Sequence, residues 1–268
     1  MNTYRTLEKI NVSCKDKGIE FLELEKVHLI KNDLAQTDFE LIYEGDLTLI
    51  FSNRSLETLK KERTVLVSSH IDTVYKKFFL KQTEDEIIGT LDNSVTNAIL
   101  MTQALKPDQE GNFIFAFTGN EEKDARGADE TMAFLSRNGI EPMFVVSLDT
   151  TDTGFEKHAF TIENYFVKKG ENAVFPKKKD LKTFLEKAFE GQKVKFIHDD
   201  DAAPDESWQY DKHNQNCFSF CIPVKGIADC EDWMHSSKGV VLKKSAFSDY
   251  PAALDRLLNF LAVAESPR

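Results

Sequence analysis

The stretch "TVLVSSHIDTVY", Thr64 to Tyr75, decides how the rest of the chain is read. Its apolar run, Thr64-Val65-Leu66-Val67, has the length and β-branching of a buried strand. Two serines follow, then His70 and Asp72, one residue apart. Polar residues at a strand end have two readings. They form a turn, or they are a ligand and the carboxylate that orients it.

Outward from this run, short apolar β-type segments alternate with helical patterns. "LTLIF" (47–51) predicts a neighbouring strand, joined to the first through "NRSLETLKKER". "NSVTNAILMTQAL" (93–105) has apolar residues at helical spacing and stops before Pro107. "NFIFAFTG" (112–119) and "MFVVSLD" (143–149) read as strands, with the helix "ADETMAFLSRNG" between them closed by Gly139. "KKDLKTFLEKAFEG" reads as a helix closed by Gly191, and "VKFIH" and "CFSFCIP" as strands. "SDYPAALDRLLNFLAVAE" reads as a terminal helix with Pro251 in its first turn. Strands alternating with helices imply a buried, largely parallel sheet. The expected fold is α/β, a three-layer α/β/α sandwich around a mixed, mostly parallel central sheet of the phosphorylase/hydrolase-like kind. No composition break divides residues 1–268, so one domain is expected. Residues 150–215, the most polar part, read as loops and one helix of that same domain.

Composition narrows the function. The formal net charge is -11 and the basic residues are scattered rather than striped. That excludes a nucleic-acid or anionic-membrane surface as the working partner. No apolar run approaches the roughly 18 residues of a membrane span, and the first residues lack the apolar core of a signal peptide. The four cysteines, Cys14, Cys217, Cys221 and Cys230, show no CxxC spacing. They read as the reduced thiols of a cytoplasmic protein, with Cys217 and Cys221 as buried strand side chains.

In open α/β sheets, sites collect beyond the carboxyl ends of the strands. Here the strand ends carry His70 and Asp72, then Glu121 and Glu122, then Asp149, and a later loop carries His235 in "DWMHSSKG". Asp92, in "GTLDNS", precedes the first clear helix. Each has a plainer alternative taken singly. Asp92 could be a helix cap, the glutamates a solvated turn, Asp149 an Asx-turn and His235 a packed or surface histidine. Taken together, two histidines and several carboxylates on one sheet edge form a nitrogen and oxygen ligand set suited to zinc, manganese or cobalt.

In this order, "HID" (70–72), "DN" (92–93), "EE" (121–122) followed by "RGA", "LD" (148–149) and "MHS" (234–236) resemble the co-catalytic di-zinc exopeptidases. That superfamily spans zinc aminopeptidases and the acetylornithine deacetylase and carboxypeptidase relatives. The resemblance covers residues 45–262 and implies a role for each residue. His70 and Asp149 hold one metal, Glu122 and His235 hold the second, and Asp92 bridges them. Asp72 orients His70, and Glu121 is the general base acting on a metal-bridging water. The implied cofactors are two divalent ions, zinc first, with manganese or cobalt as alternatives.

The sequence also departs from the pattern. Relatives insert a lid or dimerisation domain either after the HxD histidine or before the final histidine. Here those intervals are 22 residues (70 to 92) and 86 residues (149 to 235). The first is too short for a domain, and the second must also complete the sheet. A single catalytic domain without a lid is expected. Asp124 stands where "EExGxxGA" has a glycine, and Lys238 where an acid is common.

The implied activity is removal of the N-terminal residue from short peptides. A carboxypeptidase or N-acyl amino-acid deacylase using the same site is the alternative, with a non-catalytic binding protein as a third reading. The acidic loop "HDDDAAPDESWQY" (198–210) reads as solvated, or as offering Asp205 or Glu206 to a substrate ammonium. Arg126 is the arginine close to the motifs and would suit a carboxylate. His158, His198 and His213 read as non-ligands.

Overall fold

Period-2 alternation of apolar side chains builds the centre of the molecule. The computed structural model describes residues 2–11, 25–75, 78–107, 109–164, 178–192, 194–196, 205–214, 216–227 and 238–265. Within them the chain runs α1 (Thr3–Ile10), α2 (Glu25–Leu34), β1 (Glu40–Glu44), β2 (Thr48–Ser52), α3 (Leu56–Leu59) and β3 (Val65–His70). It continues through β4 (Leu80–Gln82), β5 (Glu86–Gly89), α4 (Ser94–Ala104), β6 (Phe113–Thr118), α5 (Arg126–Arg137) and β7 (Phe144–Thr151). The remainder is β8 (Thr161–Glu163), α6 (Lys178–Ala188), β9 (Lys195–Phe196), α7 (Glu206–Tyr210), β10 (Cys217–Lys225), β11 (Val240–Lys243) and α8 (Lys244–Val263).

The sheet order is β1-β2-β6-β3-β7-β10-β11-β5-β4, with β8 and β9 branching from β10. Its four central strands, β6, β3, β7 and β10, are mutually parallel, and the flanking main-path strands are antiparallel. This is the expected mixed sheet, parallel at its centre, between two helical layers. Val65 and Val67 of β3, and Phe113, Phe115 and Phe117 of β6, join the larger core that takes in α1, α2, α4, α6 and α8. Leu66, Ile114 and Ala116 point the other way, into the core beneath α5 and α7. One residue of register separates the layers, as a period of two requires. Cys217 and Cys221 are buried and outside any disulfide, as their strand position suggested.

Several elements differ from expectation. The terminal helix begins at Lys244, directly after β11, so Pro251 lies in its interior and not in its first turn. A proline there costs about 3 kcal/mol. The helix continues because Tyr250, Leu254, Leu257, Leu258 and Leu261 line one buried face, and tertiary packing outweighs propensity. Gln103 of α4 also donates to the Pro251 carbonyl at 3.0 Å. The polar region 150–215 holds β8, β9, α6 and α7, more than loops and one helix. Of "VKFIH", the described strand is Lys195–Phe196.

Two contacts explain why the sheet edge can hold a site. Ser69 of β3 bonds Thr96 and Asn97 of α4 at 2.9 and 3.0 Å, which seats the start of α4 beside the end of β3. On the opposite face Ser68, Ser147 and Ser219 lie in register across β3, β7 and β10. This row of small residues lets α7 approach the sheet closely. Tyr210 donates to Ser68 at 2.9 Å, and Ser68 donates to Glu206 at 2.8 Å.

Candidate active site

His70 ends β3, and its carbonyl accepts the Asn97 amide at 2.8 Å. Its side chain is 2% exposed. The two ring nitrogens face different groups. Nδ1 lies 3.5 Å from Asp72 Oδ1 and 3.2 Å from the Asp72 carbonyl. Nε2 lies 3.4 Å from Asp92 Oδ1, 3.5 Å from Asp149 Oδ1 and 3.9 Å from Glu121 Oε2.

Asp72 does more than meet the imidazole. Its two oxygens accept the backbone amides of Glu121 at 3.2 Å and Glu122 at 3.3 Å. One carboxylate thus ties the end of β3 to the loop after β6. That loop is closed by the Asn120 carbonyl, which accepts from Asp124 and Ala125 at 3.0 and 2.6 Å, and by the Gly127 amide donating to Gly119 at 3.2 Å. Asn120 and Ala125 both adopt positive φ, 62° and 50°. The tight turn aims both glutamates back over the sheet edge.

Asp92 does not act as a helix cap. Asn93 occupies the cap position of α4, and its side chain donates to the Leu148 carbonyl at 2.8 Å instead of capping. The Asp92 carboxylate is left facing His70. Asp149, on β7, accepts its neighbour Thr150's amide at 2.7 Å.

The acids are crowded and buried. Burial pushes the Glu121 carboxyl up to about 10; His70 opposes this, while Asp149, Glu122 and Glu206 add to it. Burial and Asp92 raise Glu122 well above the usual range. Burial raises Asp149 to about 7 against the pull of His70. For His70, burial opposes the charged form, but Glu121, Asp149, Asp72 and Asp92 overcome it and hold the ring well above its ordinary value. Burial also raises Glu206, beneath the site, to about 7.

Such a cluster asks for a cation. Asp92 Oδ1 and Glu122 Oε1 are buried with no hydrogen-bond partner among the described residues, a costly state unless another group satisfies them. His70, Asp92 and Asp149 present ligand atoms within 4.8 Å of one another, and so do His70, Glu121 and Glu122. One imidazole nitrogen with carboxylate oxygens is a donor set for zinc and for harder divalent ions. The residues present fit a divalent metal.

The other expected site residues fall as follows. His235 lies outside the described residues, as does His198. Asp205 caps α7 through the Ser207 amide at 2.8 Å and stays partly exposed. Glu206 is 1% exposed and turned toward Ser68, so it belongs to the wall under the site and not to a surface open to substrate. Arg126 starts α5 half-exposed, paired with Asp124 at 2.8 Å. His213 sits on Asp129 at 3.3 Å, among exposed side chains. Glu163, buried at the end of β8 and raised to about 7 by burial, had no signal in its short strand.

A family model described as Peptidase family M28 matches residues 54–219, more than half of the chain. The chain belongs to peptidase family M28. Peptidases of this family depend on a metal, which agrees with the orphaned carboxylate oxygens of this M28 chain. No curated protein matches this M28 chain. Among solved structures it is similar to the TET aminopeptidase of a marine sediment archaeon, Thaumarchaeota archaeon SCGC AB-539-E09. The TM-score is 0.68 at 12% identity, over 97% of this chain and 98% of that one. It is also similar to aminopeptidase PepT of Bacillus cereus, with TM-score 0.67 at 11% identity over 97% and 99% of the two chains. The Pyrococcus horikoshii TET1 peptidase, described as assembling into a tetrahedron or octahedral shell, matches with TM-score 0.64 at 13% identity over 96% and 99%. At these identities the likeness is one of fold.

Proposed function

We propose that this M28 peptidase is an aminopeptidase that removes the N-terminal residue of short peptides, with two divalent ions, zinc first, at the His70 cluster. One observation carries the reading. Five acids converge on a single buried imidazole, and two of their oxygens are buried with no hydrogen bond among the described residues. Two structural neighbours are aminopeptidases, which supports the direction of cleavage.

Bound metal would polarise the scissile carbonyl and activate a water. The remaining roles fall to the chain. His70 and Asp149 would hold one ion and Glu122 and His235 the other, with Asp92 available to both. Asp72 keeps His70 oriented through Nδ1 and holds the glutamate loop through two amides. Glu121 serves as general base. Burial raises this carboxyl while no cation is near; bound dications would draw it back toward the ionised form, which can take a proton and pass it to the leaving amine. Asp205 would hold the substrate's ammonium, since it keeps partial exposure and is close enough to Asp149 to raise that carboxyl. Arg126 would stand at the rim.

The chain would work as one catalytic unit without a lid, in the cytoplasm. No helix among the described residues is long and apolar enough to cross a membrane. A screen of aminoacyl, dipeptide and N-acyl amino-acid substrates with zinc, manganese and cobalt tests the assignment. Hydrolysis confined to free-amino substrates is expected. Turnover of N-acyl substrates alone would make the chain a deacylase.

A further inference from the structure

Lys26 is completely buried near the start of α2, outside the 54–219 region matched to the family. An ammonium without water is expensive unless the fold gives it work. Its Nζ donates to the Ile71 carbonyl at 3.1 Å and stands 5.8 Å from the centre of the Phe78 ring. Ile71 lies between His70 and Asp72, so the lysine grips the backbone that carries both.

Asn11, which ends α1, grips the far end of the same segment. Its Nδ2 donates to the Phe79 carbonyl at 3.0 Å, and its Oδ1 accepts from Thr90 at 2.8 Å. Thr90 is fully buried and lies two residues before Asp92. The two helices are tied to each other by Lys9 and Asp33 at 3.0 Å, and both pack on α4, which Asp92 precedes.

We propose that Lys26 and Asn11 are positioning residues, forming a two-point brace that sets His70 and Asp92 at metal-binding separation. The N-terminal helices then belong to the metal centre and do not merely cover the core. The inference rests on the metal reading above but not on the peptidase activity.

The test uses the full chain and zinc alone, with affinity measured by competition against a chromophoric chelator. Melting of the chelator-treated protein is followed in parallel. Lys26→Met and Asn11→Ala should each weaken zinc binding roughly tenfold or more, the scale of losses behind metal ligands. Leu34→Ala, on the core face of α2, should lower the melting temperature and leave zinc affinity unchanged. Zinc affinity within twofold of the unaltered chain for both brace variants would overturn the brace. Equal weakening by Leu34→Ala would do the same, since loss of stability would then explain everything. If Lys26→Met does not fold, Asn11→Ala decides alone, by the same twofold criterion. An unaltered chain that takes up no zinc would sink the metal reading and the brace together. Normal zinc uptake without hydrolysis would sink only the peptidase assignment.

Discussion

His70 has two nitrogens in two environments, and that asymmetry makes its neighbours separable by mutation. His70→Ala removes the proposed ligand atom and should lose one metal outright, read as metal content after reconstitution. Asp72→Ala removes only the partner of Nδ1 and the two amide bonds to the glutamate loop. It should weaken metal affinity and rate by roughly 10- to 100-fold. Glu121→Gln keeps the shape of the side chain and removes the proposed base. Hydrolysis should fall by roughly 10²- to 10⁴-fold while metal content stays near normal, and surviving activity would reassign the base. These residues were legible because each sits where a strand or its following loop leaves the sheet, and that is where a parallel sheet collects its ligands. Lys26, Ser68 and Glu163 were not. Nothing local distinguishes a lysine that will be buried from one that will be solvated, since the burial comes from segments 45 residues away.

At the level of elements, the loop carrying Glu121 and Glu122 depends on how closely α5 meets the end of β6. Gly127 makes that approach possible. An added Cβ would stand 2.6 Å from the Gly119 carbonyl oxygen, 2.8 Å from its nitrogen and 2.8 Å from the Leu47 carbonyl oxygen. All three are backbone atoms, so neither a rotamer change nor a flexible neighbour can relieve the contact. Gly127→Ala should cost about 1–3 kcal/mol, as overpacking does. It should also weaken metal binding, because Glu122 moves with the loop. Thermal melting with parallel zinc titration checks both effects, and a stable variant with unchanged affinity would mean the helix start is soft. The long elements here were readable from pattern alone: α4, α5 and the parallel strands have unbroken periods and clear stops. The short ones were not. β4, β5 and β11 are segments of three or four residues toward one side of the sheet, and β11 pairs with β5, far away in sequence. α7 is one turn whose place is set by the serine row beneath it. Pro251 misled for a related reason, since a helix start is inferred from local chemistry and this one is set by the strand that feeds it.

Across the whole molecule the chain carries a net charge of -11, and its most consequential acids surround one imidazole. Without metal, Glu121 is raised to about 10, and Asp149, Glu163 and Glu206 to about 7, burial being the first cause each time. A carboxyl raised in the folded state binds its proton more tightly folded than unfolded. Its contribution to stability is therefore present near pH 4 and lost as pH rises through the folded value. His70 runs the same way, because a ring held above its ordinary value loses its contribution as pH rises through that value. The signs add. The metal-free chain should melt several degrees lower at pH 8.5 than at pH 5.5, the reverse of the usual behaviour of paired carboxylates. Metal ligation requires deprotonated ligands, so binding releases protons and strengthens with pH. The gap in melting temperature between zinc-loaded and chelator-treated protein should accordingly widen from pH 5.5 to 8.5. Calorimetry on both forms at the two values measures it. A metal-free chain that instead gains stability toward alkaline pH would show the acids to be compensated by the protein itself, and the case for a resident dication would lose its electrostatic ground.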